Sequence, residues 1–159
     1  MTAATAPEPR PPRLSFTEMT EILLPQHANA LGTAFGGAVL SWIDVCGAIA
    51  AQRHCGRVAV TAALDEMQFL APIRVGDVVC LTARVNAAFR TSIEVQVRVE
   101  REEPRTMERT LCADALLTFV SRGDDGKPAL APRVLCETEE DEAHERAANR
   151  RRTERLKRR

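Results

Sequence analysis

Asp44 is a lone acid in an otherwise almost wholly apolar run, Gly36 to Ala51. A carboxylate in apolar surroundings is costly to bury, so it persists for a reason. Two glycines, Gly36 and Gly37, open the run, and Asn29 lies seven residues before the first of them. A helix that starts at those glycines presents backbone N–H groups without partners, a ready site for a developing negative charge. An acid that activates water, set beside an oxyanion site, is the chemistry these residue types suggest.

The elements that must position these groups follow from the pattern of the chain. Leu14 to Leu24 alternates loosely and stops at Pro25, which predicts a first strand. Gln26 to Phe35 reads as a loop carrying His27, Asn29 and Gly32. Gly36 to about Arg53 lacks proline and is apolar on most faces, as expected of a buried helix, with Gly56 as its cap. Strands are expected over Val58 to Leu70, Val78 to Val85, Thr91 to Glu100 and a segment ending near Phe119. The clearest has Ile93, Val95, Val97 and Val99 on one face and Glu94, Gln96, Arg98 and Glu100 on the other, the alternation of a half-buried antiparallel strand. The order is strand, helix, then four strands read as a meander, an α+β arrangement.

Thr138 followed by Asp141 resembles a helix capping box, with acids early in the tail and bases late, an order that suits the helix dipole. A solvated helix is the plain expectation for this tail; a basic patch for an anionic ligand or a neighbouring subunit is the sharper one. At 159 residues with zero net formal charge, one domain is expected, with no general pull toward nucleic acid or membrane. The five scattered cysteines form no C-x-x-C pair, which fits a reducing, cytoplasmic setting and argues against structural zinc. Residues 1–13, rich in Ala, Pro and Arg, read as a disordered leader rather than a signal sequence.

The ordered set Ala28-Asn29, Gly32, Phe35-Gly36-Gly37, Trp42-Ile43-Asp44, Arg53-His54-Cys55, Val60-Thr61-Ala62, Asp65, Phe69, Pro72-Ile73, Gly76-Asp77 and Arg90-Thr91-Ser92 resembles the hotdog-fold acyl-CoA thioesterases. The similar branch holds the bacterial short-chain enzymes and the brain-type cytosolic acyl-CoA hydrolase, and the resemblance runs from about residue 14. It implies a hotdog thioesterase domain over 14–135, with a long central helix wrapped by an antiparallel five- to six-stranded sheet. A charged helical extension follows over 136–159.

The resemblance also implies hydrolysis of an acyl-CoA to a free acid and coenzyme A, in fatty acid metabolism, with no metal and no cofactor beyond the thioester substrate. Asp44 matches the family's general base or nucleophile. Asn29 would come from the partner subunit to position water or thioester, and Gly37 and Ala38 would offer N–H groups to the thioester oxygen. Thr61, Arg90 and Ser92 lie where the family contacts acyl chain or coenzyme A, with Phe35 and Phe69 as pocket walls. Plainer readings stand beside these: an Asx turn for Asn29, tight packing for the glycines, and dipole compensation for Arg53 and His54. Asp77 reads as a turn residue, and Asp65 as structural without a clear role. A homodimer assembling to a hexamer, a trimer of dimers, is implied as well. The rival readings are a non-catalytic acyl-CoA-binding hotdog protein and a phenylacetyl-CoA type thioesterase.

Overall fold

The computed structural model describes residues 5–159. Its strands are β1 (Thr17–Ile22), β2 (Ala59–Phe69), β3 (Val78–Ala88), β4 (Ser92–Glu102) and β5 (Arg109–Ser121). Helix α1 spans Gly36–Cys55 and helix α2 spans Glu139–Lys157. The strands form one antiparallel sheet in the order β1-β3-β4-β5-β2. Only β3, β4 and β5 are a meander. β2 crosses to the far edge and pairs with β5, which corrects the expected run of four neighbours. Alternation fixes which face a residue takes but not which strand lies beside it.

Helix α1 packs on the inner face of the sheet through Val39, Ile43, Cys46 and Ala50, all wholly buried and spaced by three or four residues, with Ala51 buried beside them. Gly47 lets the helix come close: a Cβ there would lie 3.0 Å from the Phe119 ring and 3.4 Å from Val97. The helix is not enclosed on all sides as its composition suggested, since Ser41, Val45 and Gln52 are exposed. Gly56 ends it in the left-handed region, at φ +68°. The Arg10 guanidinium donates to the His54 carbonyl at 2.9 Å, a cation at the carbonyl end of the dipole. Backbone bonds from Arg10 to Arg133 and from Leu135 to Arg10 hold that segment, and Pro11 and Pro12 are buried. The expected disordered leader is therefore docked from Arg10 onward; residues 1–4 lie outside the described residues.

Helix α2 opens with the expected capping box. Thr138 Oγ1 accepts from the Asp141 N–H at 3.0 Å, and the Asp141 carboxylate accepts from the Glu137 and Thr138 N–H groups. The helix is not merely solvated. It lies on the outer face of the sheet, paired through Arg84 with Asp141 at 2.8 Å, Arg151 with Glu94 at 2.6 Å and Arg155 with Asp65 at 3.1 Å. Arg152 stacks over Phe89 at 4.3 Å, and Ala148 is buried with Ala87 and Phe89. Glu94, on the face that alternation assigned to solvent, is wholly buried beneath it.

Candidate active site

Asp44 sits two turns into α1, half-buried, on the side of the helix that faces strand β2. Thr61 on β2 donates its hydroxyl to Asp44 Oδ1 at 2.5 Å. The register explains the meeting: Thr61 pairs with Phe119, whose ring is buried against Gly47, so both side chains turn inward to the helix. Thr61 was singled out from the sequence as a substrate contact; its bond to the acid was not foreseen.

At the head of α1, the Gly36 and Gly37 N–H groups donate to no partner among the described residues. The Ala38 N–H is already engaged with the Phe35 carbonyl at 3.0 Å, so of the two predicted donors only Gly37 is open here. The ring of Phe35, more than half exposed, occupies the space that a side chain at position 37 would take; a Cβ there would lie 2.6 Å from it. Phe69 reaches the same place from β2, 3.7 Å from where a Cβ of Gly36 would be. A largely apolar cleft of about 360 Å³ runs alongside, lined by Thr33, Ala34, Val39, Phe69, Pro72 and Ile73 among others. Its volume falls in the range of small-molecule sites, roughly 300–1,000 Å³.

Asn29 projects from the loop before α1 and is exposed. Its Oδ1 accepts from the Leu31 N–H at 2.9 Å and the Thr33 N–H at 3.3 Å, and its Nδ2 donates to Thr33 Oγ1 at 2.9 Å. This is the Asx geometry set beside the functional reading, and it leaves a second amide hydrogen free. Thr33 was missed in the sequence; a hydroxyl four residues after a loop asparagine was the available signal. No contact joins Asn29 to Asp44 within the chain.

Arg90 and Ser92 are not brought to Asp44. Ser92 pairs with Val120, which pairs with Val60, so Ser92 takes the outer face while Thr61 takes the inner one. Arg90 is exposed on the β3–β4 hairpin. His27 is tied down locally: its Nδ1 accepts from the Leu24 N–H at 3.1 Å and its ring meets Trp42 edge-on at 5.0 Å. Arg53 donates to the Phe16 carbonyl and to Thr17 Oγ1. Burial pushes the Cys46 thiol up to about 11, against a smaller opposing pull from Arg53, so it offers no thiolate near Asp44. Asp77 is the expected turn residue, its carboxylate accepting from the Arg74 N–H at 2.8 Å. Among the described residues, no helix is long and apolar enough to cross a membrane.

A family model described as the thioesterase superfamily matches residues 31–108. An uncharacterized acyl-CoA thioester hydrolase of Bacillus subtilis (strain 168) is 43% identical, over 85% of this chain and 78% of that protein. Acyl-coenzyme A thioesterase 11 of Mus musculus is 37% identical over 85% of this chain, which spans 23% of its length. Among solved structures, an apo-hexameric acyl-CoA thioesterase superposes with a TM-score of 0.90 at 39% identity, over 96% of this chain and 97% of that one. An acyl-CoA hydrolase from Staphylococcus aureus, in complex with butyryl coenzyme A, coenzyme A and coenzyme A disulfide, gives 0.88 at 33% identity, over 96% and 92% of the two chains. Mutants of that hydrolase with an asparagine, an aspartate or a threonine changed to alanine are also solved. One long helix on one antiparallel sheet, matched to these relatives over nearly its whole length, makes this chain a hotdog-fold member of the thioesterase superfamily, among the acyl-CoA thioester hydrolases.

Proposed function

We propose that this chain hydrolyses an acyl-CoA thioester to a free carboxylic acid and coenzyme A. Asp44 takes a proton from the attacking water as general base, or attacks the thioester carbon itself, and Thr61 holds its carboxylate through one oxygen. The Gly37 N–H receives the oxygen that gains negative charge as the carbon becomes tetrahedral. The C–S bond then breaks and the thiolate of coenzyme A leaves, taking up the proton that Asp44 accepted from water; on the covalent route a water then hydrolyses the acyl–Asp44 anhydride, which frees the acid and restores the carboxylate. Gly37 and Asp44 share a helix face but stand two turns apart, roughly 10 Å along the axis. That spacing favours a site between subunits, where Asn29 and Gly37 of one protomer face Asp44 of the partner subunit.

The observation that carries this reading is the Thr61–Asp44 hydrogen bond, which fixes the one acid of α1 against strand β2. The residue types altered in the Staphylococcus aureus hydrolase, an asparagine, an aspartate and a threonine, are those singled out here as Asn29, Asp44 and Thr61. Pairing of two copies is supported by the apolar residues that the β2 edge and the loop before α1 leave exposed, among them Leu31, Phe35, Val60, Leu64 and Phe69. The further step to a trimer of dimers rests on the hexameric relatives. Five unpaired cysteines support a cytoplasmic setting.

The test follows free thiol release from a panel of acyl-CoAs of increasing chain length, for the wild type and Asp44→Asn. Turnover by the wild type and a loss of about 10²–10⁴-fold in the variant are expected. Equal rates in the two proteins would assign Asp44 a structural role. Binding of acyl-CoA by the wild type without turnover would make the chain a non-catalytic binder.

A further inference from the structure

We propose that the Asp65–Arg155 pair is a positioning device for catalysis, through which helix α2 sets the place of Thr61 and so the aim of Asp44. This rests on the reading of Asp44 as the acting acid.

Among the described residues, strand β2 lies at the sheet edge and pairs only with β5. Its ladder slips twice in quick succession, between Thr61 and Ala63 and again between Leu64 and Glu66. Each slip leaves an extra residue out of register, which bends the strand and weakens its hold on the neighbour. Thr61 lies directly before the first slip, so the hydroxyl that fixes Asp44 leaves the ladder where the ladder holds least. Asp65 is the extra residue of the second slip.

Its carboxylate is anchored twice. Thr118 donates to Oδ2 at 2.5 Å, and Arg155 approaches Oδ1 at 3.1 Å. Thr118 precedes Phe119, the residue registered with Thr61, so the anchor bears on the strand pair that carries the catalytic hydroxyl. Only 11% of the Asp65 side chain is exposed, so losing the cation leaves a mostly buried carboxylate short of a partner. Arg155 is itself held in place. One turn earlier, on the same helix face, Arg151 grips the wholly buried Glu94 of β4. The helix thereby splints an edge strand with two slips to a central strand that is hydrogen-bonded on both sides.

The experiment compares Arg155→Ala, Asp65→Asn and Arg155→Lys with the wild type in steady-state thiol release, alone and in a Thr61→Val background. Thermal midpoints are measured alongside. Arg155→Ala is expected to lower kcat about tenfold with KM little changed, and to cost little more once Thr61 is already Val. Asp65→Asn keeps the shape and the Thr118 bond and should behave like Arg155→Ala; Arg155→Lys should restore much of the rate. Arg150→Ala, an exposed change on the same helix, is the control expected to leave activity unchanged. A drop in midpoint with kcat preserved, or equal losses with and without the Thr61 hydroxyl, would overturn the proposal while leaving the role of Asp44 standing. Full activity in Asp44→Asn would instead remove the reading on which it rests.

Discussion

Helix α1 meets the inner face of the sheet through Val39, Ile43, Cys46 and Gly47, whereas α2 meets the outer face through Asp141, Arg151, Arg152 and Arg155. The first contact is made of volume. Its groups touch at van der Waals distance, and a glycine lets the helix close on Phe119. The second is made of charge: Arg151 and Arg155 reach Glu94 and Asp65 on the strands, and Asp141 receives Arg84 from β3. Volume tolerates little change at any point, and apolar contacts carry no titrating group; on α1 the buried His54 is the exception. Charge concentrates its hold in a few pairs, each sensitive to the loss of either member. Asp44 stands on the helix of the volume-packed region, and the charged helix reaches it only through the edge strand.

The largest effect is expected where packing is tightest. Phe119→Ala should cost about 3–5 kcal/mol, read as a lower urea midpoint, because it removes a wholly buried ring opposite Gly47. A cost below that would mean α1 settles into the gap, and packing there is looser than the contacts indicate. On the outer face, Glu94→Ala should cost about 2–3 kcal/mol, since it strands Arg151 and leaves the Asn86 amide without its acceptor. Replacing Glu94 and Arg151 together by leucine should recover most of that loss. Failure to recover would show that α2 docks through more than its ion pairs.

The smallest effect sharpens the comparison through pH. Burial holds the His54 imidazole below its ordinary range; the bond to the Pro132 carbonyl opposes this and the Arg10 guanidinium adds to it. The unfolded chain then takes up a proton more readily than the native one. His54 therefore favours the native state above about pH 6.5, and that stability is lost as pH falls through its depressed value. For Asp141, burial works upward, but the Glu137 N–H and the Arg84 guanidinium outweigh it and hold the carboxyl below its usual range. Its contribution is present above about pH 4 and is lost only below that. On acidification, amide hydrogen exchange should rise first at the His54 end of α1 and later in the first turn of α2. The reverse order would mean that the ion pairs of α2 are the weaker element.

Much of this was legible in the sequence. The alternation of Ile93, Val95, Val97 and Val99 assigned the inner face of β4, and Thr138 with Asp141 marked the start of α2. The opening glycines located the start of α1, and the lone acid marked the face that meets Thr61. The place of β2 was not legible, because alternation carries no record of a neighbour. Nor was the burial of Glu94: a charged strand face reads as wet unless the chain is known to bring an arginine to it. Arg10 was hidden in the same way, in a segment whose composition suggests solvent but whose Arg10 guanidinium meets a helix end. At the site, the type of each residue pointed to its chemistry, but the Thr61–Asp44 bond required the register of β2, and Ser92 fell on the other face for the same reason.

The ring of Phe35 rests where residue 37 has no side chain, beside the open amide at the head of α1. A group arriving from that side meets the ring first. Exposed side chains change rotamer in picoseconds to nanoseconds, far faster than a typical turnover. The aromatic therefore covers the amide as a shutter would rather than a bolt: a ring that is more than half exposed can turn aside and return far faster than a turnover. A single methyl group at position 37 would take that place and turn the ring off the amide.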